Sequence, residues 1–390
     1  MPSDAFDRRT RELLVGLQES GQFKSLQYIT TPMGPTVHME GVGEVVVLCS
    51  NNYLGLANHP EVVEAGIEGL RRYGAGTASV RFICGTFDCH RELERALAEF
   101  SGTAAALTYV SCWTANEGLI PTVATEADVI LSDELNHASI IDGCRLARNV
   151  ERVVYRHGDM ADLEAKLRQY AGKAVRWVIT DGVFSMEGDL ADLPALVRLC
   201  REYGAMLVVD DSHGVGVLGS GGRGTAEHYG LLGQVDVITG TLGKALGGAA
   251  GGYVAASADL IELLIQRSRP SLFSNALPAT VACSARKAVE IVQREPQRVT
   301  RLHENVRRMR AGLRKLGFEC SDSPTAIIPI MIGETAEAIA KSRRLLELGV
   351  FVIGFGYPVV PQGKARLRVQ VSAALEPSHI ERALDAFARL

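Results

Sequence analysis

Val175-Arg176-Trp177-Val178-Ile179-Thr180-Asp181 and Met206-Leu207-Val208-Val209-Asp210 are short, almost continuously apolar runs, each closed by an aspartate. Between them, Leu193–Tyr203 carries its apolar residues at helical spacing. Strand, helix and strand in that order build a parallel sheet, and strands without polar alternation belong to a sheet covered on both faces. The rhythm continues in both directions. Val45–Cys49, Ala104–Val110, Asp128–Ser132, Arg152–Arg156, Asp236–Thr239 and Gly252–Ala256 read as further strands. Pro60–Arg72, Arg91–Phe100 and Met160–Tyr170 read as helices between them. The expected fold is α/β, with a mostly parallel central sheet flanked by helices.

Two regions depart from this rhythm. Residues 4–20 place Phe6, Leu13, Leu14 and Leu17 on one helical face, and a Gly- and Pro-containing segment follows. After Pro278 come helical patterns over 279–294 and 297–316, a strand at Ile327–Ile332 and a helix at Ala336–Leu348. Strands at Val350–Ile353 and Ala365–Val371 and a helix from Pro377 complete the chain. The expected division is an N-terminal helix and arm (1–47), a large α/β domain (48–285) and a small C-terminal α+β domain (286–390).

Composition narrows the function. With 390 residues, 47% hydrophobic, 22% charged and a net charge of −4, the chain reads as a globular protein without a basic patch for nucleic acid. The N-terminus lacks a secretory apolar core, and no apolar run reaches the ~18 residues of a membrane span. Eight scattered cysteines with no Cys-x-x-Cys pair read as reduced thiols of a cytoplasmic protein. Cys84, Cys89 and His90 lie close in sequence, but their spacing is not that of a usual metal site, and no metal is expected.

In open parallel sheets, ligands bind at the carboxyl ends of the strands. The residues found there are Ser50-Asn51-Asn52-Tyr53, Ser111 to Asn116, Asp133 to His137, Asp181 to Ser185 and Asp210 to His213. The last is Thr241-Leu242-Gly243-Lys244, where one lysine stands among glycines and alanines. Poor solvation lowers an amine's pKa and frees it as nucleophile or base; a buried lysine snorkelling from a turn would look the same locally. Two phosphate motifs fail. Gly214-Val215-Gly216-Val217-Leu218-Gly219 is followed by loop residues, not by a helix, and Gly243-Lys244 has Ile238 and Ala245 where a P-loop needs Gly and Ser or Thr. A dry lysine, a strand-end carboxylate and a Ser/Thr-bearing helix start together suit pyridoxal 5′-phosphate (PLP). Its aldehyde takes an amine, its ring nitrogen a carboxylate and its phosphate a helix N-terminus.

The chain resembles the fold-type I PLP enzymes, specifically the α-oxoamine synthases. The carrying segments are Ser50–Leu56, Asp133–Gly143, Thr180–Gly188 and the Lys244 stretch. Ala78–Thr86, Arg267–Asn275 and Tyr357–Pro361 look most like the glycine C-acetyltransferase branch. The resemblance implies a homodimer that condenses glycine with acetyl-CoA, or another acyl-CoA, to a 2-amino-3-oxo acid. It implies that Lys244 carries PLP and moves the α-proton, Asp210 pairs with the ring nitrogen and His137 stacks on the ring. His213 and Ser185 would bond the phenolic oxygen. Cys112, Trp113 and Thr241 would hold the phosphate, helped by the partner subunit's Ser274. Asn51 and Arg368 would hold the amino-acid carboxylate. Three departures bear on the acyl group: Trp113 where Phe is usual, Gly356 where a larger aromatic is expected, and a poorly matching N-terminal arm. Sister synthases, other PLP reactions and a catalytically silent scaffold are the rival readings.

Overall fold

The computed structural model describes every residue except Met1 and Gly21. Its strands are β1 (Thr36–Met39), β2 (Gly43–Val47), β3 (Ala105–Tyr109), β4 (Val129–Asp133), β5 (Glu151–Tyr155), β6 (Arg176–Asp181) and β7 (Met206–Asp210). They continue as β8 (Val237–Thr241), β9 (Gly252–Ala256), β10 (Ile327–Gly333), β11 (Val350–Phe351), β12 (Ile353–Phe355) and β13 (Ala365–Gln370). Two compact units result. One comprises Asn51–Glu304 with Ser323–Ala326; the other comprises Met1–Ser50, Asn305–Asp322 and Ile327–Leu390.

In the larger unit a seven-stranded sheet runs β3-β9-β8-β7-β6-β4-β5. The pairs from β8 to β5 are parallel, and β9 alone runs antiparallel to both of its neighbours. The unbroken apolar runs have a direct cause. Leu131, Val178, Leu207 and Val209 pack into one buried cluster, whereas Ile130, Trp177, Ile179 and Val208 pack into another. Successive side chains point to opposite faces, so both faces of the sheet are dry. The helix Ala279–Arg294 packs on Pro60–Tyr73 through small residues. A Cβ on Gly66 would lie 2.5 Å from Ser284 Oγ, and one on Gly69 would lie 2.9 Å from Cys283 Sγ.

Expectation and structure differ in one strand and in the domain bounds. Val45–Cys49 reads as a strand of the main sheet, yet β2 pairs with β1 and β11 in the smaller unit. Residues 286–304 group with the larger unit instead of starting a C-terminal domain, and residues 48–50 group with the smaller one. The helix Pro2–Glu19 forms where the pattern predicts it, but Phe6, Leu13, Leu14 and Leu17 are all exposed. Gly356 has its own local reason within the smaller unit, since a Cβ there would lie 2.3 Å from Thr335 Cγ2.

Leu131 is fully buried at the middle of β4. Leu131→Ala is expected to lower stability by about 2–5 kcal/mol through lost burial and a residual cavity. A clear fall in the urea midpoint checks it, and an unchanged midpoint would mean this face of the sheet is loosely packed.

Candidate active site

The parallel register sets Asp181 and Asp210 side by side at the carboxyl ends of β6 and β7, with Thr239 in the middle of β8 next to Asp210. Asp210 is buried, and both its carboxylate oxygens accept hydrogen bonds. Oδ1 takes the Ser212 backbone N–H at 3.0 Å, and Oδ2 takes Asn116 Nδ2 at 2.6 Å and the Cys112 thiol at 3.6 Å. Asn116 and Cys112 come from the helix Cys112–Val123, which starts where β3 ends. Ser111 caps that helix by accepting the Thr114 N–H at 3.1 Å, while its own N–H donates to Thr114 Oγ1 at 3.1 Å. β9 must pass this helix start closely, because a Cβ on Gly252 would lie 2.2 Å from the Cys112 nitrogen. Only glycine fits there.

The network extends to His137. Asn116 Nδ2 also donates to Ser139 Oγ at 3.0 Å, and Ser139 lies 2.8 Å from His137 Nδ1. The His137 backbone N–H donates to Asp181 Oδ2 at 2.6 Å. Trp113 stands edge-on to the His137 ring, with centroids 5.8 Å apart and planes at 79°. Asn136 acts as an extra rung between strand ends. It donates to Ile179 O and accepts the Asp181 N–H, both at 2.8 Å.

Burial and then the Asp210 charge push Asp181 well above the ordinary carboxylate range. Burial and Asp210 also push up the Cys112 thiol. Desolvation lowers the His137 imidazole although the side chain reaches solvent, and the Asp210 charge opposes that shift.

Lys244 occupies the turn between β8 and β9, in which Gly247, Gly248 and Gly251 have φ of +99°, +71° and +104°. Its Nζ lies 3.0 Å from His213 Nε2, and His213 Nδ1 lies 2.8 Å from the Tyr53 hydroxyl. Tyr53 Oη is in turn 3.4 Å from Asn51 Oδ1. The positive charge of Lys244 reaches Cys112, His137 and Asp181, which places this group beside the Asp210 network. The Thr241 hydroxyl donates to Gly251 O at 3.2 Å and accepts the Gly243 N–H at 3.1 Å, bracing the same turn.

Lys244, His213 and Asn51 thus form one connected group, and Asp210, Cys112, Trp113 and His137 another. Ser185 lies on the loop after β6. Ser274 follows the short helix Arg269–Phe273, half-buried and outside both networks. Arg368 belongs to β13 of the smaller unit, where its guanidinium lies 4.6 Å from the Phe355 ring centroid and Nη2 lies 3.2 Å from Gln370 Oε1. The structure adds Asn116, Ser139 and Tyr53, to which sequence reasoning assigns no role.

The rejected motifs have other uses. Gly214 and Gly224 make room for Asp211, whose carboxylate accepts the Thr225 N–H at 2.7 Å and the Thr225 hydroxyl. His90 Nε2 lies 2.6 Å from Leu277 O and Nδ1 accepts the Phe87 N–H at 2.9 Å, so both ring nitrogens serve backbone. Among the described residues no group of His, Cys, Asp and Glu is placed to hold a metal ion, and no helix is long and apolar enough to cross a membrane.

The chain matches the family model of class I and II aminotransferases over residues 43–387 and belongs to that fold-type I family. It is 47% identical to the mitochondrial 2-amino-3-ketobutyrate coenzyme A ligase of Bos taurus, over 96% of this chain and 90% of the relative. It is 46% identical to the 8-amino-7-oxononanoate synthase of Thermoanaerobacter pseudethanolicus, over 97% and 96%. A solved SPT structure with PLP superposes with a TM-score of 0.93 at 32% identity, covering 99% of this chain and 97% of that one.

One ion cluster fixes the loop that carries Ser185. His157 Nδ1 lies 2.9 Å from Asp133 Oδ1 and Nε2 lies 2.9 Å from Asp189 Oδ2, with Phe184 edge-on at 4.4 Å. These two carboxylates push the imidazole up to about 10. A raised histidine pKa stabilises the fold fully below the unfolded value of about 6.5. That contribution declines above it and is gone once the pH passes about 10. The stability difference between the wild type and His157→Asn is therefore expected to be greatest just below about pH 6.5, where both carboxylates are still ionised, and to shrink across that window. Thermal melts at stepped pH check it; a difference that grows with pH would contradict the paired, charged histidine.

Proposed function

We propose that this chain is a PLP-dependent acyltransferase that condenses glycine with acetyl-CoA to 2-amino-3-oxobutanoate and CoA, or runs the reverse in threonine breakdown. The Lys244–His213 pair beside the buried Asp210 network is the observation that carries the chemistry. Full-length likeness to 2-amino-3-ketobutyrate coenzyme A ligase carries the choice of substrates.

The residues fit the cofactor. Lys244 offers the amine for its aldehyde, and Asp210 a preorganised carboxylate for its ring nitrogen. The start of the helix Cys112–Val123 and Thr241 offer a site for its phosphate. Bound PLP supplies an electron sink for the carbanion formed at the amino acid's α-carbon. In the proposed reaction Asn51 and Arg368 hold the glycine carboxylate, the guanidinium giving a bidentate fork. Lys244 takes the α-proton and later returns one. His137 would cover one face of the ring, His213 and Ser185 would hold its phenolic oxygen, and Cys112 and Trp113 would flank the phosphate. The hydrogen bonds to Asp210 already orient its carboxylate, so little reorganisation would be needed as charge develops on the ring. The partner subunit's Ser274 completes the phosphate site in a cytoplasmic homodimer.

A second reading, a sister synthase taking another acyl-CoA or amino acid, rests on the equal likeness to 8-amino-7-oxononanoate synthase. Thiol release measured with glycine, alanine and serine against short and long acyl-CoAs separates the two. Fastest turnover with glycine and acetyl-CoA is expected, and a preference for alanine with a long dicarboxylic acyl group would move the assignment. Lys244→Ala should abolish turnover and the borohydride-trapped adduct with PLP; normal turnover would end the proposal. Arg368→Ala should raise the KM for glycine at least tenfold with PLP affinity little changed, whereas equal losses would remove the carboxylate role.

A further inference from the structure

Asn116 and Ser139 have no role in the assignments above, yet both are buried and stand in one directed chain. The Asn116 amide nitrogen has two hydrogens and two oxygen acceptors, Asp210 Oδ2 at 2.6 Å and Ser139 Oγ at 3.0 Å. Flipped, the amide would set its oxygen against an ionised carboxylate. Ser139 Oγ lies 2.8 Å from His137 Nδ1, and the Ser139 backbone N–H donates to the same nitrogen at 3.2 Å. A backbone N–H can only donate, so Nδ1 must offer its lone pair, and a neutral His137 carries its hydrogen on Nε2. The Ser139 hydroxyl, already an acceptor from Asn116, turns its own hydrogen to Nδ1 as well. An imidazolium has hydrogens on both nitrogens and no lone pair for either donor.

We infer that Asn116 is a positioning residue. One amide hydrogen orients the Asp210 carboxylate, and the other, through the Ser139 hydroxyl, keeps His137 in its neutral Nε2–H form. The inference rests on Asp210 and His137 lying at the ring nitrogen and the ring face of PLP, as proposed above. A positive charge over the ring would oppose the proton that Asp210 favours on the ring nitrogen, so both ends of the chain serve one purpose. Other groups also face His137. Desolvation disfavours its imidazolium form, the Asp210 charge favours it, and the Lys244 charge again disfavours it. Asp181, itself pushed toward its neutral form, accepts the His137 backbone N–H at 2.6 Å, and Trp113 presents an uncharged ring edge. The two donors at Nδ1 therefore act against the pull of Asp210.

The test reads His137 apart from turnover. In full-length protein stripped of PLP and labelled with 15N-histidine, neutral His137 should show an unprotonated Nδ1 and a protonated Nε2. The resonances are assigned by their loss in His137→Asn. The titration midpoint should lie below the ordinary value of about 6.5. Ser139→Ala removes the hydroxyl donor, and Asn116→Ala frees that hydroxyl to turn away. Each should raise the midpoint by roughly half a unit, the worth of one hydrogen bond, and the double variant should show less than the summed shift. With PLP restored, Asn116→Ala should lose kcat at least tenfold while the glycine KM changes less than threefold; an unchanged kcat would remove Asn116 from the reaction. A wild-type His137 protonated at Nδ1 overturns the inference, as does an unmoved midpoint in Asn116→Ala or a pair of shifts that simply add. Should Asn116→Ala fail to fold, Ser139→Ala cuts the same chain one link on, and its midpoint decides: a rise supports the inference and no change overturns it. Should Lys244→Ala retain turnover while the histidine results hold, the acyltransferase reading falls and the Asn116–Ser139–His137 chain stands.

Discussion

The buried carboxylate of Asp210 is the constraint around which the larger unit is arranged. Removing an ionised group from water costs several kcal/mol unless its oxygens find donors. Here the donors come from separate pieces of chain. Ser212 supplies a backbone N–H just beyond the strand, and Asn116 supplies an amide from the helix after β3. That helix can reach Asp210 only because β9 passes its first turn with a glycine at residue 252. The order of strands in the sheet, the start of one helix and the composition of a distant strand thus answer to one charge.

Lys244 and Asp210 stand at adjoining strands of the sheet. The lysine follows β8, the aspartate ends β7, and the two strands are hydrogen-bonded neighbours. Asp181, one strand further on, has its pKa raised first by burial and then by the neighbouring Asp210 charge. The backbone N–H of His137 on Asp181 ties the third strand end into the same arrangement. Asp181 and Asp210 close strands of the sheet, so the register itself fixes where their carboxylates stand.

Much of this is legible in the sequence, and the exceptions have physical reasons. The apolar runs locate the main-sheet strands because burial on both faces forbids polar alternation, and the aspartates and Lys244 follow those runs directly. Val45–Cys49 has the same local character but pairs in another sheet, because a strand's partners depend on long-range register that its own residues do not encode. Phe6, Leu13, Leu14 and Leu17 show the helical period without revealing what, if anything, covers them. Asn116 is hidden because an amide inside an apolar helix has no spacing signature. Its role depends on a carboxylate more than ninety residues away (|i−j| = 94). Tyr53 reads as a core aromatic, and only the 2.8 Å contact with His213 distinguishes it.

The reversal of β9 carries one more consequence. Because β8 and β9 are antiparallel neighbours and β9 also pairs with β3, the turn bearing Lys244 is clamped at both ends by ladders that continue into the sheet. Amide groups in such ladders exchange with solvent only through the larger openings of a protein, whereas a crossover loop leading to a surface helix opens locally. The strands at the two ends of the turn that carries Lys244 are therefore expected to be among the slower-exchanging parts of the sheet.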